Sequence, residues 1–191
     1  MTTALDQPAG PGDAATGEER SCDEEPPSRT LLVLERVDED GDWAAVGPVD
    51  ELIAAVGRVL AEAPELAAML PASAVVALSS DDAVRRLNAI YRGKDAPTNV
   101  LSFPAAEPFG TIAGEPRALG DVVLALETVI AEAGADGIPP AHHFQHLLIH
   151  GLLHLMGYDH QTDAEAERME ALETMLLARL GIPDPYAETP A

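Results

Sequence analysis

The sequence predicts an α+β domain in which a small mixed β-sheet packs with several helices. Two observations support this prediction. Segments with strand character and segments with helical periodicity follow one another in the order βαβαββααα, and no segment repeats another. The chain has 191 residues, which is enough for one domain of ordinary size with a substantial core. We therefore expect a single domain over residues 29 to 182.

The first half of this domain is predicted to contain two strands and two helices. The segments 30–37 and 73–80 are short and rich in aliphatic residues, as strands of a buried sheet are. Apolar residues recur with a helical period over 49–63, which indicates an amphipathic helix. The segment 81–92 follows a serine and begins with aspartate, which is a typical helix start.

The second half begins with two more predicted strands. One covers 100–104 and ends at Pro104, and the other is the apolar segment 119–126, which has the character of a buried strand. Between them, residues 105–119 are rich in proline and glycine. We expect an exposed loop there, because both residue types favour turns and interrupt regular structure.

Three helices are predicted to follow these strands. The first ends in the glycine-containing stretch 134–137. Pro139 and Pro140 can open the next helix, because proline is tolerated in the first turn, where its missing N–H costs no hydrogen bond. The last helix starts after Thr162, which forms the sequence signature of a capping box together with Glu165.

The net charge is strongly negative and unevenly distributed. The formal charge of −22 argues against nucleic-acid binding, because phosphate contacts normally require a basic surface, and no DNA partner is expected. Residues 1 to 29 hold seven acids and little apolar material, so we expect residues 1–28 to be a disordered acidic tail. We also expect residues 183–191 to be a flexible C-terminal tail. By contrast, the stretch 85–94 has four basic residues and no acid, namely Arg85, Arg86, Arg92 and Lys94.

Cysteine content and the N-terminal sequence predict a cytoplasmic protein. Cys22 is the only cysteine, which excludes an internal disulfide and a thiolate zinc cluster. The first residues carry an acid instead of basic charge and no apolar run follows, so no export signal is indicated. No stretch is long and apolar enough to span a membrane. Because a thiolate cluster is excluded, any bound metal would be held by nitrogen and oxygen atoms.

Three histidines in the segment HGLLHLMGYDH, residues 150–160, have the spacing of metal ligands. The pattern H-x-x-x-H-x-x-G-x-x-H is the ligand spacing of the metzincin zinc proteases. His150 and His154 lie one helical turn apart, and Gly157 can reverse the chain so that His160 returns toward them. We expect these imidazoles to hold one zinc ion and to leave one coordination position open, as in catalytic sites.

Three further histidines precede this group and are expected to play indirect roles. His146 points in a different direction from His154 and lies two turns earlier, so the two cannot easily share a metal ion. For His142, His143 and His146 we therefore expect contact with solvent or with groups behind the ligands, and not direct metal binding.

The sequence resembles the YbeY-type rRNA maturation endoribonucleases in three segments and in the acidic helix that follows them. The matching segments are YRGKDAPTNVLSFP (91–104), LGDVVLA (119–125) and HLLIHGLLHLMGYDH (146–160). They occur in the same order as in the family, and the acidic helix begins with EAERMEALE. The resemblance covers approximately residues 30 to 182, and the histidine block with its GYDH ending is highly specific.

This resemblance implies a function for the chain. It implies a zinc-dependent endoribonuclease that cleaves single-stranded RNA during 16S rRNA 3′-end maturation and ribosome quality control, with the small ribosomal subunit as a partner. It also implies that His150, His154 and His160 hold the zinc, and that Arg92 corresponds to the functionally important arginine of the family. Arg92 and Lys94 are the candidate catalytic residues, because they can neutralise phosphate charge.

The absence of one glutamate distinguishes this histidine pattern from that of the zinc proteases. Gly151 occupies the position of their catalytic base, which a peptidase needs to move a proton from water to the leaving amine. Hydrolysis of a phosphodiester depends more on charge neutralisation. A zinc peptidase remains an alternative if Asp159 or Asp121 replaces the base. A non-catalytic ribosome-assembly factor with structural zinc is the other alternative.

Overall fold

One mixed β-sheet lies at the centre of the fold. The computed structural model describes residues 31–106 and 115–187, and within these ranges the strands are β1 (Leu32–Asp38), β2 (Ala72–Ser79), β3 (Val100–Pro104) and β4 (Arg117–Ala125). Their order in the sheet is β1-β2-β4-β3. Strands β1, β2 and β4 run parallel, and β3 pairs antiparallel with β4 at the edge. The predicted α+β class with a small mixed sheet is confirmed.

Five α-helices accompany this sheet in the described residues. They are α1 (Val49–Ala61), α2 (Asp81–Arg92), α3 (Leu126–Asp136), α4 (Pro140–Leu155) and α5 (Asp163–Arg179). Their order along the chain matches the predicted one. Two short 3₁₀ helices, Trp43–Ala45 and Pro64–Met69, lie outside the prediction, because so few residues show no measurable period. None of the described helices combines the length and the apolar character that crossing a membrane requires.

The connection between β3 and β4 differs from the prediction. The loop expected over 105–119 overlaps β4, which already begins at Arg117 and pairs with the start of β2. Hydrogen bonding to a neighbouring parallel strand outweighs the local Pro/Gly-rich composition there. Residues 107–114 of this connection lie outside the described residues, and so does the acidic tail expected over 1–28.

Helices cover the two faces of the sheet unequally. Helices α1, α3, α4 and α5 form the larger core with one face, and its buried side chains include Val76, Leu78, Val122, Phe144, Leu148, Leu152 and Leu176. On the opposite face, α2 contributes to a smaller cluster that contains Ala77, Val84, Leu101, Val123 and Ala125. The helix that carries the histidine motif, α4, therefore belongs to the larger core.

Helix α4 packs closely against the sheet at Gly151. A Cβ atom at this position would lie 2.7 Å from Cγ1 of Val122 and 3.1 Å from Oγ of Ser102. The Ser102 hydroxyl also donates a 3.0 Å hydrogen bond to the Gly151 carbonyl oxygen. Gly151 therefore faces β3 and β4, and there is no room for a longer side chain at this position.

Gly151→Ala should destabilise the protein, because the buried Val122 side chain cannot move aside without disturbing the core. We expect the free energy of unfolding to fall by about 1 to 3 kcal/mol, which is typical of overpacking. Urea denaturation in the presence of a chelator measures this change without a contribution from bound metal.

Gly134→Ala is the matched control for this substitution. Gly134 lies in α3, and no atom lies within 4 Å of a Cβ atom placed there. The free energy of unfolding of this variant should rise by about 0.5 to 1 kcal/mol, because alanine has a higher helix propensity than glycine. A Gly151→Ala variant as stable as the wild type would contradict the close packing of α4 on the sheet.

Candidate metal centre

Three histidine side chains from α4 and the turn after it converge in space. The Nε2 atoms of His150 and His154 lie 3.1 Å apart. The centroid of the His160 ring lies 5.5 Å from that of His150 and 5.0 Å from that of His154. One nitrogen atom of each ring lies within 4.8 Å of the other two, which is close enough to hold one metal ion. The folded chain therefore brings together the three histidines indicated by the sequence spacing.

A chain reversal after α4 returns His160 to the other two histidines. Gly157 has a φ of +89°, in the left-handed region that glycine adopts without steric strain. The Tyr158 backbone N–H donates a 3.0 Å hydrogen bond to the Leu153 carbonyl oxygen, which closes the turn. The turn predicted at Gly157 is confirmed.

Asp159 and the start of α5 hold the chain on either side of His160. The Asp159 carboxylate accepts a 2.8 Å hydrogen bond from the His160 backbone N–H, and this bond lowers the pKa of Asp159 below its usual range. Thr162 and Glu165 form the predicted capping box at the N-terminus of α5. Asp159 is therefore a turn residue, and His160 lies between two fixed segments.

Hydrogen bonds behind the rings determine which nitrogen atoms face the centre. Nδ1 of His150 lies 2.8 Å from Oε1 of Glu173, and Nδ1 of His154 lies 3.0 Å from the Tyr158 carbonyl oxygen. A carboxylate and a carbonyl only accept hydrogen bonds, so both Nδ1 atoms carry a proton. In neutral rings, the Nε2 lone pairs then face each other at 3.1 Å. They repel each other unless a cation lies between them, so the donor set fits a metal ion.

The surroundings of His154 favour the neutral imidazole that metal binding requires. Burial lowers the pKa of His154, and the neighbouring rings of His150 and His160 lower it further. The hydrogen bond to the Tyr158 carbonyl raises this pKa but does not outweigh those effects. His154 is therefore a neutral ligand candidate at neutral pH.

Glu173 of α5 is the carboxylate that orients His150. Its side chain is fully buried and also accepts hydrogen bonds from the Tyr186 hydroxyl and, at 3.2 Å, from Nε2 of His146. Burial raises the pKa of Glu173, but its three hydrogen bonds outweigh burial and lower the pKa to about 2. Glu173 is therefore ionised at neutral pH, and it links His146 indirectly to the site.

Glu173 is not among the predicted site residues, although its position in the sequence carries a signal. Met169, Leu172 and Leu176 form a buried apolar stripe on α5, and Glu173 falls on the same face. A carboxylate at a core position must be paired, and the histidines of α4 are suitable partners. This signal is hard to see because several other acidic residues surround Glu173 in the sequence.

The C-terminal segment contributes to the site as far as Tyr186. The sequence predicts a flexible tail over residues 183–191, of which the structure describes residues 183 to 187. Within this part, Tyr186 donates to Glu173, and Asp184 accepts a 3.1 Å hydrogen bond from the Thr174 hydroxyl. The domain boundary at 182 stays a prediction, but the contact of Tyr186 with the buried carboxylate depends on tertiary structure, which composition does not reveal.

His143 shows which way the histidine-bearing side of α4 faces. It lies two turns before His150 on the same side of the helix. Its Nε2 atom lies 2.8 Å from Glu132 of α3, and the Glu132 carboxylate also accepts a 2.9 Å hydrogen bond from Asn99. Asn99 directly precedes β3. The side of α4 that carries His143, His150 and His154 therefore turns toward the β3 edge of the sheet.

The indirect role expected for His142 stays a prediction.

Arg92 and Lys94 lie at the exposed end of α2 and form no hydrogen bond with the three converging histidines. Among the described residues, no carboxylate lies within ion-pair distance of either side chain. Arg85 and Arg86, in contrast, pair with aspartates that flank the basic stretch. Part of the positive charge identified in the sequence is therefore neutralised, whereas no described carboxylate neutralises Arg92 or Lys94.

The histidine cluster leaves room for a ligand from outside the protein. In the part of the chain that the structure describes, no fourth histidine, cysteine or acidic side chain joins it. The Asp159 carboxylate is occupied by the His160 backbone and the Gln161 side chain. Asp121 projects from the sheet face opposite to Val122, which packs under α4. Asp121 is therefore not available as a substitute base at the cluster.

Comparison with known proteins identifies the family. The family model described as Endoribonuclease YbeY matches residues 43–181. The chain belongs to this family. The matched region includes the three converging histidines, Glu173 and Arg92, and it ends before Tyr186.

Several relatives with the same name are similar over much of the chain. Endoribonuclease YbeY of Rhodopseudomonas palustris strain BisA53 is 45% identical over 167 residues, which cover 85% of this chain and 92% of the relative. The Azorhizobium caulinodans protein is 52% identical over 155 residues, with 78% and 92% covered. The protein of R. palustris strain CGA009 is 59% identical over 116 residues, and the match spans only 61% of the length of each chain.

A protein from Thermotoga maritima with a known solution structure shares the fold. Its structure aligns with a TM-score of 0.53 and covers 83% of this chain and 100% of the Thermotoga chain. The sequence identity is 20%, so this similarity concerns the fold alone.

Alanine in place of His150, His154 or His160 should remove most of the bound metal, because two remaining imidazoles bind a metal ion far more weakly than three. Plasma mass spectrometry after dialysis measures the metal content per chain. His142→Ala is the control on the same helix and should keep its metal. Full metal content in His160→Ala would overturn the assignment of this residue.

Glu173→Gln should weaken metal binding by about 10- to 100-fold, because a neutral amide orients His150 less firmly. Competition with a chromophoric chelator measures the affinity. Glu167→Gln removes an exposed acid from the same helix and serves as the control, with an affinity close to that of the wild type. Equal affinities in both variants would show that Glu173 has no influence on the metal centre.

Proposed function

We propose that this chain is a zinc-dependent endoribonuclease that cleaves single-stranded RNA in the cytoplasm. Its proposed substrate is ribosomal RNA in the small ribosomal subunit, and its proposed roles are 16S rRNA 3′-end maturation and ribosome quality control. The observation that carries the proposal is an open cluster of three histidines in a chain of the endoribonuclease YbeY family.

Zinc is the metal that best matches the donors. Three imidazoles, with no thiolate and no fourth protein ligand among the described residues, are typical of catalytic zinc sites, and we describe this site as zincin-like on that basis. When bound, zinc supplies positive charge that activates water and neutralises a phosphate oxygen. The protein contributes the orientation of the rings, through Glu173 behind His150 and the Tyr158 carbonyl behind His154.

Arg92 and Lys94 are the proposed phosphate contacts. The Arg92 guanidinium can bind two phosphate oxygens at once, whereas the Lys94 ammonium adds a point charge. Both are exposed, and the described residues offer neither of them an ion-pair partner. The chain between Gly93 and Asn99 leads from these cations to the β3 edge, toward which the histidine side of α4 is turned.

The same geometry argues against the two alternative functions. A zinc peptidase needs a carboxylate base after the first histidine, and the close contact between Gly151 and Val122 leaves no space for one. A structural zinc ion normally has four protein ligands. Among the described residues, no fourth ligand joins the three histidines.

Parallel assays with three substrates test the proposed function: a single-stranded RNA, a duplex of the same sequence and an unstructured peptide. The zinc-loaded protein should cleave only the single-stranded RNA. A chelator should stop the reaction, and added zinc should restore it. Peptide cleavage, or RNA cleavage that survives complete metal removal, would contradict the proposal.

Arg92→Ala should slow RNA cleavage by about 10²- to 10³-fold at saturating substrate, because it removes positive charge that stabilises the transition state. Zinc content and thermal stability should stay unchanged, and Arg92→Lys should recover only part of the rate. Arg85→Ala is the matched control from the same helix, and it should weaken RNA binding modestly without slowing catalysis. A wild-type cleavage rate in Arg92→Ala would remove Arg92 from the mechanism.

A further inference from the structure

An exposed tyrosine lies beside the proposed phosphate contacts. The side chains of Tyr91 and Ile90 are 67% and 73% exposed, more than any other large hydrophobic side chain that the structure describes. Both lie in the last turn of α2, directly before Arg92. A large aromatic surface that stays exposed to water next to cations suggests a binding role, because an exposed side chain contributes little buried apolar area to the core.

The Tyr91 ring is held in place by a second aromatic side chain. Its centroid lies 5.0 Å from that of Phe103, with an angle of 64° between the ring planes, which is a favourable edge-to-face contact. Phe103 is a residue of β3 and packs against the small cluster under α2. Tyr91 is therefore an exposed aromatic side chain that packs on a partly buried one.

Strand β3 separates the Tyr91–Phe103 pair from the candidate metal centre. Ser102 points toward α4, where it donates a hydrogen bond to Gly151, so Phe103 points to the opposite face of the sheet. The tyrosine and the metal centre are thus on different faces, and the edge strand β3 lies between them. An extended, flexible polymer can pass around such an edge and contact both faces.

The distribution of charged side chains around Tyr91 indicates which path a negatively charged polymer would take. Arg92 and Lys94 follow the tyrosine without ion-pair partners among the described residues. On the other side of Phe103, a cavity of about 370 Å³ has the acidic residues Glu35 and Asp121 in its lining. Phosphates are repelled by those acids and attracted by Arg92 and Lys94, so a nucleic acid strand would run along the two cations.

We propose that Tyr91, supported by Phe103, stacks against one unpaired nucleobase of the RNA whose phosphates contact Arg92 and Lys94. This inference rests on the proposed endoribonuclease function and adds a binding site to it. Stacking uses the face of the base, so it tolerates any of the four bases. A base inside a duplex has both faces covered, so this site also selects for single-stranded RNA.

Binding of short single-stranded RNAs to the zinc-loaded protein tests the proposal. Tyr91→Ala should weaken binding by about 5- to 100-fold, as the loss of one stacked base does. Tyr91→Phe should restore the wild-type affinity, and Tyr91→Leu, which keeps an apolar contact with Phe103, should not. Ile90→Ala removes the neighbouring exposed side chain and should bind like the wild type. Rapid-mixing fluorescence anisotropy gives each affinity before cleavage occurs.

A series of RNAs with one abasic position each then identifies the stacked base. For the wild type, removing the base at one position should weaken binding, and in Tyr91→Ala the same removal should cost nothing further. Equal affinity of Tyr91→Ala and wild type, or a full abasic effect in the variant, would overturn the stacking proposal. Cleavage of the intact RNA by the wild type, followed in the same samples, tests the proposed function separately.

Discussion

One buried carboxylate, that of Glu173, connects the elements that form the candidate metal centre. Burying a charged group without partners is costly, and hydrogen bonds from two histidines of α4 and from Tyr186 offset this cost. The carboxylate thereby connects α4, α5 and the C-terminal segment. It also fixes the tautomer of His150, so that Nε2 faces the point at which the three rings converge. Loss of this one charge would affect both the position and the protonation of a metal ligand candidate.

Close packing against the sheet determines which residue α4 can carry at position 151. Gly151 allows the helix to lie so close to Val122 and Ser102 that any side chain at this position would disturb the packing. This explains how the chain carries the histidine spacing of zinc proteases without their glutamate, since the position of that base is occupied by a helix–sheet contact. In the proposed function, chemistry at the cluster therefore depends on charge neutralisation, which suits a phosphodiester better than a peptide bond.

Local sequence patterns were sufficient to predict the order of the strands and helices, the Gly157 turn and the capping box at Thr162. The convergence of the three histidines also followed from local spacing. The roles of Glu173 and Tyr186 could not be derived in this way, because they depend on which side chains meet across separate elements. The early start of β4 likewise depends on pairing with β2, which composition does not reveal.

The most direct test of this account is a crystal structure of the zinc-loaded protein with anomalous diffraction data collected at the zinc absorption edge. We expect a single anomalous peak at about 2.0 to 2.1 Å from Nε2 of His150, Nε2 of His154 and one ring nitrogen of His160. The fourth position should hold water or another small ligand. The absence of a peak between these rings, or a fourth protein side chain bound to the metal, would contradict the proposed open zinc centre.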